Sequence, residues 1–403
     1  MKANEQANKK LVLAYSGGLD TSYCAKYLSK EKGFEVHAVS VNTGGFSKSE
    51  IAEIGKKALL LGAKTYTSID AIDSFYQKVV KYLIYGNVLR NNTYPLSVSA
   101  ERIVQAIEIV QYAKKIGAGA IAHGSTGAGN DQVRFDMIFQ ILAPEISIIT
   151  PIRDQQLTRE AEIDYLQENG VDYSWEKAKY SINKGLWGTS VGGVETLGSK
   201  NSLPSEAYPS QLSEIAPQKI ALTFTKGELT ALNGKKASPV QNIQKLQELA
   251  SAFAIGRDIH VGDTIIGIKG RVGFEAAAPL IILKAHHLLE KHTLSKWQQF
   301  QKEQLGNFYG MLLHEGNYLD EVMRNIEAFL MDTQKNVSGD VYVTLHPYRF
   351  ELNGIHSIHD LMTSSFGSYG EVNKGWTAEE AKGFIKILSN AGKIATHVNQ
   401  DHD

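Results

Sequence analysis

Residues 16 to 22 read Ser-Gly-Gly-Leu-Asp-Thr-Ser, directly after the apolar run "LVLAY" and directly before an amphipathic pattern. Two adjacent glycines, Gly17 and Gly18, let the backbone turn tightly with nothing protruding, so N–H groups can close on a charged oxygen. Asp20, Thr21 or Ser22 is expected to cap the following helix, whose free N–H groups and positive dipole end then point at the same place. Ser16, Thr21 and Ser22 add hydroxyl donors. Together these residues predict an anion cradle of pyrophosphate size. The string matches neither the G-x-x-x-x-G-K-[ST] loop nor the G-x-G-x-x-G fingerprint; the plainer alternative is a strand–turn–helix corner with a good cap. A second cluster lies at residues 122 to 135, "AHGSTGAGNDQVRF". Gly127 and Gly129 free the backbone to wrap a small ligand. Asn130 and Arg134, four apart, share one helical face. Arg134 can fork onto a carboxylate, and Asp131 can accept from an ammonium.

The elements that must position these clusters alternate. "LVLAY", "EVHAVSV", "KTYTSID", "GAIAHG" and "ISIITPI" read as strands, with helices expected at Thr21 to Lys32, at 48 to 61, across Ile103, Ile107, Val110 and Ala113, and from Asn130 to Leu142. Strands separated by helices predict a doubly wound parallel α/β domain. Such sheets bind ligands at the carboxyl ends of strands, where both clusters fall. Beyond residue 175 the pattern changes. "KIALTFTKGELTALNG" and "GDVYVTLHPYRFELNG" read as hairpins, with helices at 242 to 255 and 277 to 293, so a second, α+β domain is expected. A late helix opens with a Thr377-x-x-Glu380 capping box and carries Ala381, Ile385 and Leu388 on one stripe. The expected division is residues 1–174, 175–365 and a helical tail at 366–403.

Composition narrows the classes. Lys+Arg is 42 against Asp+Glu at 43 in 403 residues, so no global basic field draws the chain to nucleic acid. Cys24 is the single cysteine, which fits a reducing cytosol, and it is expected to pack within its helix. No apolar run approaches the roughly 20 residues that span a bilayer, and the polar start lacks a secretory pattern. A cytoplasmic chain without membrane attachment is the expectation. His286, His287 and His292, and His356 and His359, lack carboxylate or thiolate partners at a usual spacing, so no protein-bound metal is expected there.

The first cluster resembles the signature of the ATP pyrophosphatases, which split ATP between its α and β phosphates; there the cradle holds pyrophosphate and Mg²⁺ offsets its charge. The second resembles the "HG-x-TG-x-GNDQ-x-RF" signature of the argininosuccinate synthases, a branch of that family. "YPLSVSAER", "YSINKGLWGTS" and "GIKGRVGFEAAAP" extend the likeness, which runs from about Leu11 to Leu388. The resemblance implies that Ala14, Tyr15, Ser16, Gly17, Gly18, Leu19, Asp20, Thr21 and Ser22 bind ATP, with Val41 near the adenine and Gly124 near the nucleotide. It implies that Thr126, Asn130 and Asp131 hold aspartate. It places Tyr94, Ser99, Asn130, Arg134, Ser181 and Ser190 around citrulline. Asp20 and Asp131 become the residues expected to serve the chemistry: ATP, citrulline and aspartate giving AMP, pyrophosphate and argininosuccinate. It also implies a homotetramer, with the late helix in subunit contacts. A tRNA-modifying adenylase and a nucleotide-holding sensor are alternatives on the same fold. The first would favour a basic second domain and catalytic cysteines, the second a degraded substrate corner.

One segment departs from the family. Where argininosuccinate synthases place a Glu and a Tyr on citrulline, this chain has Gly262 and Phe274. Either Asp263 or Glu275 takes over the substrate's ammonium, or there is no ammonium to bind and the substrate is an Nα-acylated citrulline, for which Gly262 leaves room.

Overall fold

The computed structural model describes residues 9–171, 179–365 and 375–400. The division points expected at 174/175 and at 366 lie outside them. β1 (Lys10–Ala14), β2 (Glu35–Asn42), β3 (Thr65–Asp70), β4 (Ala120–Ala122) and β5 (Ser147–Ile149) pair in parallel in the order β3-β2-β1-β4-β5. Leu11, Val12 and Leu13 are all fully buried, as a strand covered by helices on both faces requires. The chain winds outward from β1 to β3, then returns to the other side of β1 for β4 and β5. The crevice between the carboxyl ends of β1 and β4 is therefore the switch point, and both glycine-rich corners leave the sheet there.

The connections carry α1 (Leu19–Lys30), α2 (Lys48–Leu60), α3 (Ile72–Phe75) and α4 (Lys81–Tyr85) joined by a π turn at Tyr76–Val80, α5 (Glu101–Ile116) and α6 (Asp131–Leu142). α7 (Pro151–Gln155) and α8 (Arg159–Glu168) follow β5. Two expectations are corrected. α1 begins two residues earlier than the reading from Thr21, and β5 stops at Ile149 because Pro151 opens a helix at its first turn. α2 has the capping box Ser47/Glu50, and α5 ends on Gly117 at φ +64, the left-handed cap glycine favours.

The second half holds β6 (Ser181–Gly185), β7 (Gly188–Gly192), β8 (Gln218–Thr225), β9 (Glu228–Leu232), β10 (Lys235–Lys236), β11 (Arg257–Asp263), β12 (Lys269–Glu275), β13 (Gly339–His346) and β14 (Arg349–His356). They form two antiparallel sheets, β10-β9-β8-β13-β14 and β11-β12-β7-β6. The hairpins β8/β9 and β13/β14 are the two read from the sequence. α9 (Pro239–Ser251) starts three residues before the expected helix, because Ser238 caps it and Pro239 fits its first turn. α10 (Ala277–Thr293), α11 (Lys296–His314) and α12 (Glu321–Thr333) complete this half, and α13 (Ala378–Leu388) and α14 (Asn390–Gln400) end it. One continuous core joins Val12, Val39, Ile103 and Ile107 of the first half to Phe274, Ile281 and Leu313 of the second. The β11-β12-β7-β6 sheet thereby has fixed neighbours in the first half.

Candidate active site

The first corner is built from backbone. Gly17 adopts φ +78 and packs against Ile54 of α2, a conformation that disfavours any side chain. Gly18 is the N-cap of α1 in extended geometry, and no side-chain oxygen caps the helix. The expected caps fail because α1 starts at Leu19: Asp20, Thr21 and Ser22 are already inside its first turn. The first-turn amides thus remain for an anion. Ser16 Oγ accepts from Gly18 N (3.3 Å) and lies 3.2 Å from Thr21 Oγ1, which donates to Gly18 O. Both hydroxyls edge the turn. Ser22 does not: it is fully buried, 3.5 Å from the Tyr15 hydroxyl. Leu19 and Tyr15 are core residues, so they offer a ligand only their backbone.

Two side chains beside this corner were not singled out in the sequence. Lys57 of α2 donates to Gly17 O (2.9 Å), and burial pushes its ammonium down to about 8. Glu162 of α8 faces Asp20. Burial, then the Asp20 charge, pushes Glu162 up to about 8, and burial also raises Asp20.

The second corner meets the first. A Cβ on Gly124 would lie 3.2 Å from the Asp20 backbone and from Thr21 Cγ2, so glycine allows the β4–α6 loop to seat on the α1 N-terminus. The loop is braced from within. His123 Nε2 pairs with Asp136 (2.8 Å), its Nδ1 accepts from Ser125 N, Gln132 donates to Gly127 O, and Arg153 bridges Gln132 and Asp136. Thr126 stands exposed on this loop, and Gly129 faces open space.

At the start of α6, Asp131 accepts from Arg102 Nε and Arg134 (both 2.9 Å). Burial would raise its carboxyl, but the two guanidiniums outweigh it and hold it below the usual range. Arg134 also makes contacts the sequence did not suggest. Its fork is closed on a main-chain carbonyl: Nε and Nη2 donate to His314 O at the end of α11 (2.9 and 2.8 Å). An orphan helix-terminal carbonyl is a natural partner for a buried guanidinium. Asn130 Oδ1 accepts from Ile265 N (2.8 Å), which ties the β11–β12 turn to α6. Arg102 continues the chain of charges to Glu101 (2.9 Å), which also accepts from Thr43 Oγ1 (2.7 Å), just beyond the end of β2 and two residues past the buried Val41. Burial pushes Glu101 up to about 7.

The last wall is the β11-β12-β7-β6 sheet. Ser190 lies opposite Asn183 on one side and Phe274 on the other, so these side chains share a face with Ser181. Arg102 reaches Asn183 (3.5 Å), joining that face to Asp131. Tyr94 is buried, with ring centroids 5.3 Å from Phe274 and 5.2 Å from His260. The Ser97 and Ser99 hydroxyls are buried without hydrogen-bond partners among the described residues, as is His260 Nδ1. The structure therefore gathers Tyr94, Ser99, Asn130, Asp131, Arg134, Ser190 and Phe274. Ser181 is exposed on the edge strand, and the side chains of Thr126 and Ser181 make no hydrogen bond among the described residues.

The arginosuccinate synthase N-terminal HUP domain model matches residues 10–172, and the C-terminal domain model of the same family matches residues 180–395. The chain belongs to the argininosuccinate synthase family. It is 36% identical to the argininosuccinate synthase of Xylella fastidiosa over 403 residues, covering 98% of this chain and 99% of that one. It is 36% identical to that of Methanocaldococcus jannaschii over 93% of this chain and 95% of the relative, and 34% to that of Sulfolobus acidocaldarius over 96% and 98%.

Against other argininosuccinate synthases, the departing segment resolves into three facts. Glu275 is buried on Arg257 and Ser210. Asp263 is exposed and paired to Lys269 (2.7 Å), one residue out of phase with His260 and Gly262, hence on the opposite sheet face. Neither replaces the family's Glu. Nor does Gly262 leave empty space: a Cβ there would lie 2.7 Å from His260 Nε2 and 3.2 Å from Asn91 Nδ2. An imidazole fills the place beside it.

Proposed function

We propose that this chain catalyses the ATP-dependent condensation of citrulline with aspartate, releasing AMP and pyrophosphate and forming argininosuccinate. The observation that carries this reading is the contact of Gly124 with Asp20 and Thr21, which sets an uncapped helix terminus for phosphates against the Asn130–Arg134 corner. The ureido oxygen attacks the α-phosphorus, the bond to the bridging oxygen of the β-phosphate breaks, and pyrophosphate leaves. The aspartate amine, having lost a proton, then attacks the ureido carbon, and AMP departs with the former ureido oxygen. No protein nucleophile is required; alignment and fixed charge supply the rate.

In this reading Ser16, Gly17, Gly18 and Thr21 hold the departing pyrophosphate through amides and hydroxyls, and Lys57 adds charge. Mg²⁺ carried with ATP would offset phosphate charge. Asp20 and Glu162 would be the carboxylates to hold it: burial raises both, and Glu162 Oε2 has no hydrogen-bond partner among the described residues. Asp131 and Thr126 take aspartate. Tyr94, Ser99, Asn130, Ser181 and Ser190 line the ureido substrate. Arg134 positions Asp131 and α11.

Phe384, Ile385, Ile387 and Leu388 of α13 and Ile394 of α14 are each more than 60% exposed, an apolar surface that supports subunit contacts in a homotetramer. No described helix is long and apolar enough to cross a membrane, and a cytoplasmic setting fits the chemistry. The test is pyrophosphate release with each substrate omitted in turn. Release that persists without aspartate and without any ureido compound contradicts the reading.

A further inference from the structure

The condensation proposed above must seat the substrate's α-nitrogen side near Gly262, and the groups gathered there carry the wrong charge for an ammonium. His260 occupies the space beside Gly262 and stacks on Tyr94. The His314 ring lies 6.5 Å from it, against the Arg134 guanidinium. Arg90 lies close enough that its charge, after burial, disfavours protonation of both His260 and His314. Arg90 is held by its backbone, through the bridge to Tyr94, and its guanidinium has no carboxylate at ion-pair distance among the described residues. Asn91, next in the chain, donates to Val261 O (3.1 Å), which fixes this segment against Gly262.

The nearby acids are each paired with a protein cation. Asp131 serves Arg102 and Arg134, Glu275 serves Arg257, and Asp263 pairs with Lys269, with Arg90 only a weaker neighbour. Where the family presents a carboxylate to an ammonium, this chain presents an imidazole and a guanidinium that no described carboxylate pairs. An α-amide needs no carboxylate, being neutral, and a guanidinium in a part-buried wall calls for an anion.

We infer that, on the reading above, the ureido substrate preferred by this chain is a citrulline whose α-nitrogen is acylated by a dicarboxylic acid, its distal carboxylate held by Arg90 and His260. A simple acetyl group would satisfy the missing ammonium but leave Arg90 without its anion. The condensation is otherwise unchanged, and the acyl group passes intact into the product.

The test compares kcat/KM for citrulline, Nα-acetylcitrulline and Nα-succinylcitrulline with the full chain, at saturating ATP and aspartate. The succinyl compound should lead both others by about tenfold or more, the weight of one charge-assisted contact. In Arg90→Gln the succinyl-to-acetyl ratio should fall by a similar factor. Replacing the distal carboxylate of the substrate by a carboxamide makes the same comparison on the unaltered protein. Citrulline equal to or better than the succinyl compound, acetyl equal to succinyl, or a ratio indifferent to both changes would overturn the inference while leaving the condensation standing. Pyrophosphate release with none of the three compounds would instead sink the condensation itself.

Discussion

Burial and the neighbouring Asp20 charge push the Glu162 carboxyl up to about 8, and this makes stability vary with pH. A carboxyl raised from its ordinary 4.5 to about 8 stays protonated while the unfolded chain ionises, so its stability contribution is whole below 4.5 and is lost as pH rises toward 8. Wild-type Tm should therefore fall between pH 5 and 8. Glu101, pushed up to about 7, adds to the fall, so the difference from Glu162→Gln isolates the pair. Glu162→Gln should flatten the profile, and identical profiles would mean the pair is not coupled. Asp20→Ala relieves the same crowding, so its Tm at pH 8 should not drop, while pyrophosphate release falls by about 100-fold or more, roughly 2.7 kcal/mol of barrier. Near-normal turnover would make this corner purely structural. Asp131→Asn separates the two half-reactions. It should still form the adenylate in rapid-quench experiments and fail to pass it to aspartate; loss of both steps would mean that Asp131 also serves the first. At this scale the glycines were legible, because a φ of +78 at Gly17 or a 3.2 Å approach at Gly124 leaves so little choice of residue. The partners of Arg134 and Asp20 were not, because His314 and Glu162 lie 180 and about 140 residues away and only tertiary packing brings them in.

Elements with one strong pattern were readable: β1 to β4, the hairpins β8/β9 and β13/β14, and α10 all lie where apolar spacing placed them. β6, β7, β11 and β12 were not, although they form one wall of the proposed site. Their strands mix Lys, Arg, Ser, Asp and Gly and so lack the alternation that marks a buried strand. α11 escaped notice for a related reason. Lys302 sits in its buried face, 2% exposed, paired with Glu290 of α10 at 2.8 Å within a cluster that includes His286, Asn87 and Gln334. His286, which the sequence offered as a conceivable ligand, is a neutral core histidine pushed down to about 4 by burial. Removing one partner of a buried pair strands the other. Lys302→Ala should cost about 3–5 kcal/mol in denaturant unfolding; a cost below about 1 kcal/mol would show that Glu290 finds its charge balance elsewhere.

Across the whole molecule, the parallel sheet presents its switch point to the β11-β12-β7-β6 sheet, and the proposed active site lies where α6, α11 and the 90–102 segment meet that sheet. α13 and α14 pack on one another, and their apolar residues face outward. The capping box at Thr377 and Glu380 was evident in the sequence, but an amphipathic stripe does not say which molecule covers it. Replacing Phe384 and Ile387 together by Asp should convert a tetramer to smaller species in light scattering without unfolding the chain. An unchanged mass would place the subunit contacts elsewhere. In the proposed reaction ATP activates the ureido oxygen itself. With the ureido oxygen of the preferred substrate labelled as ¹⁸O, the label should appear in AMP, one atom for each argininosuccinate-type product formed, with none in pyrophosphate. Label in pyrophosphate, or AMP formed without label, would contradict the account.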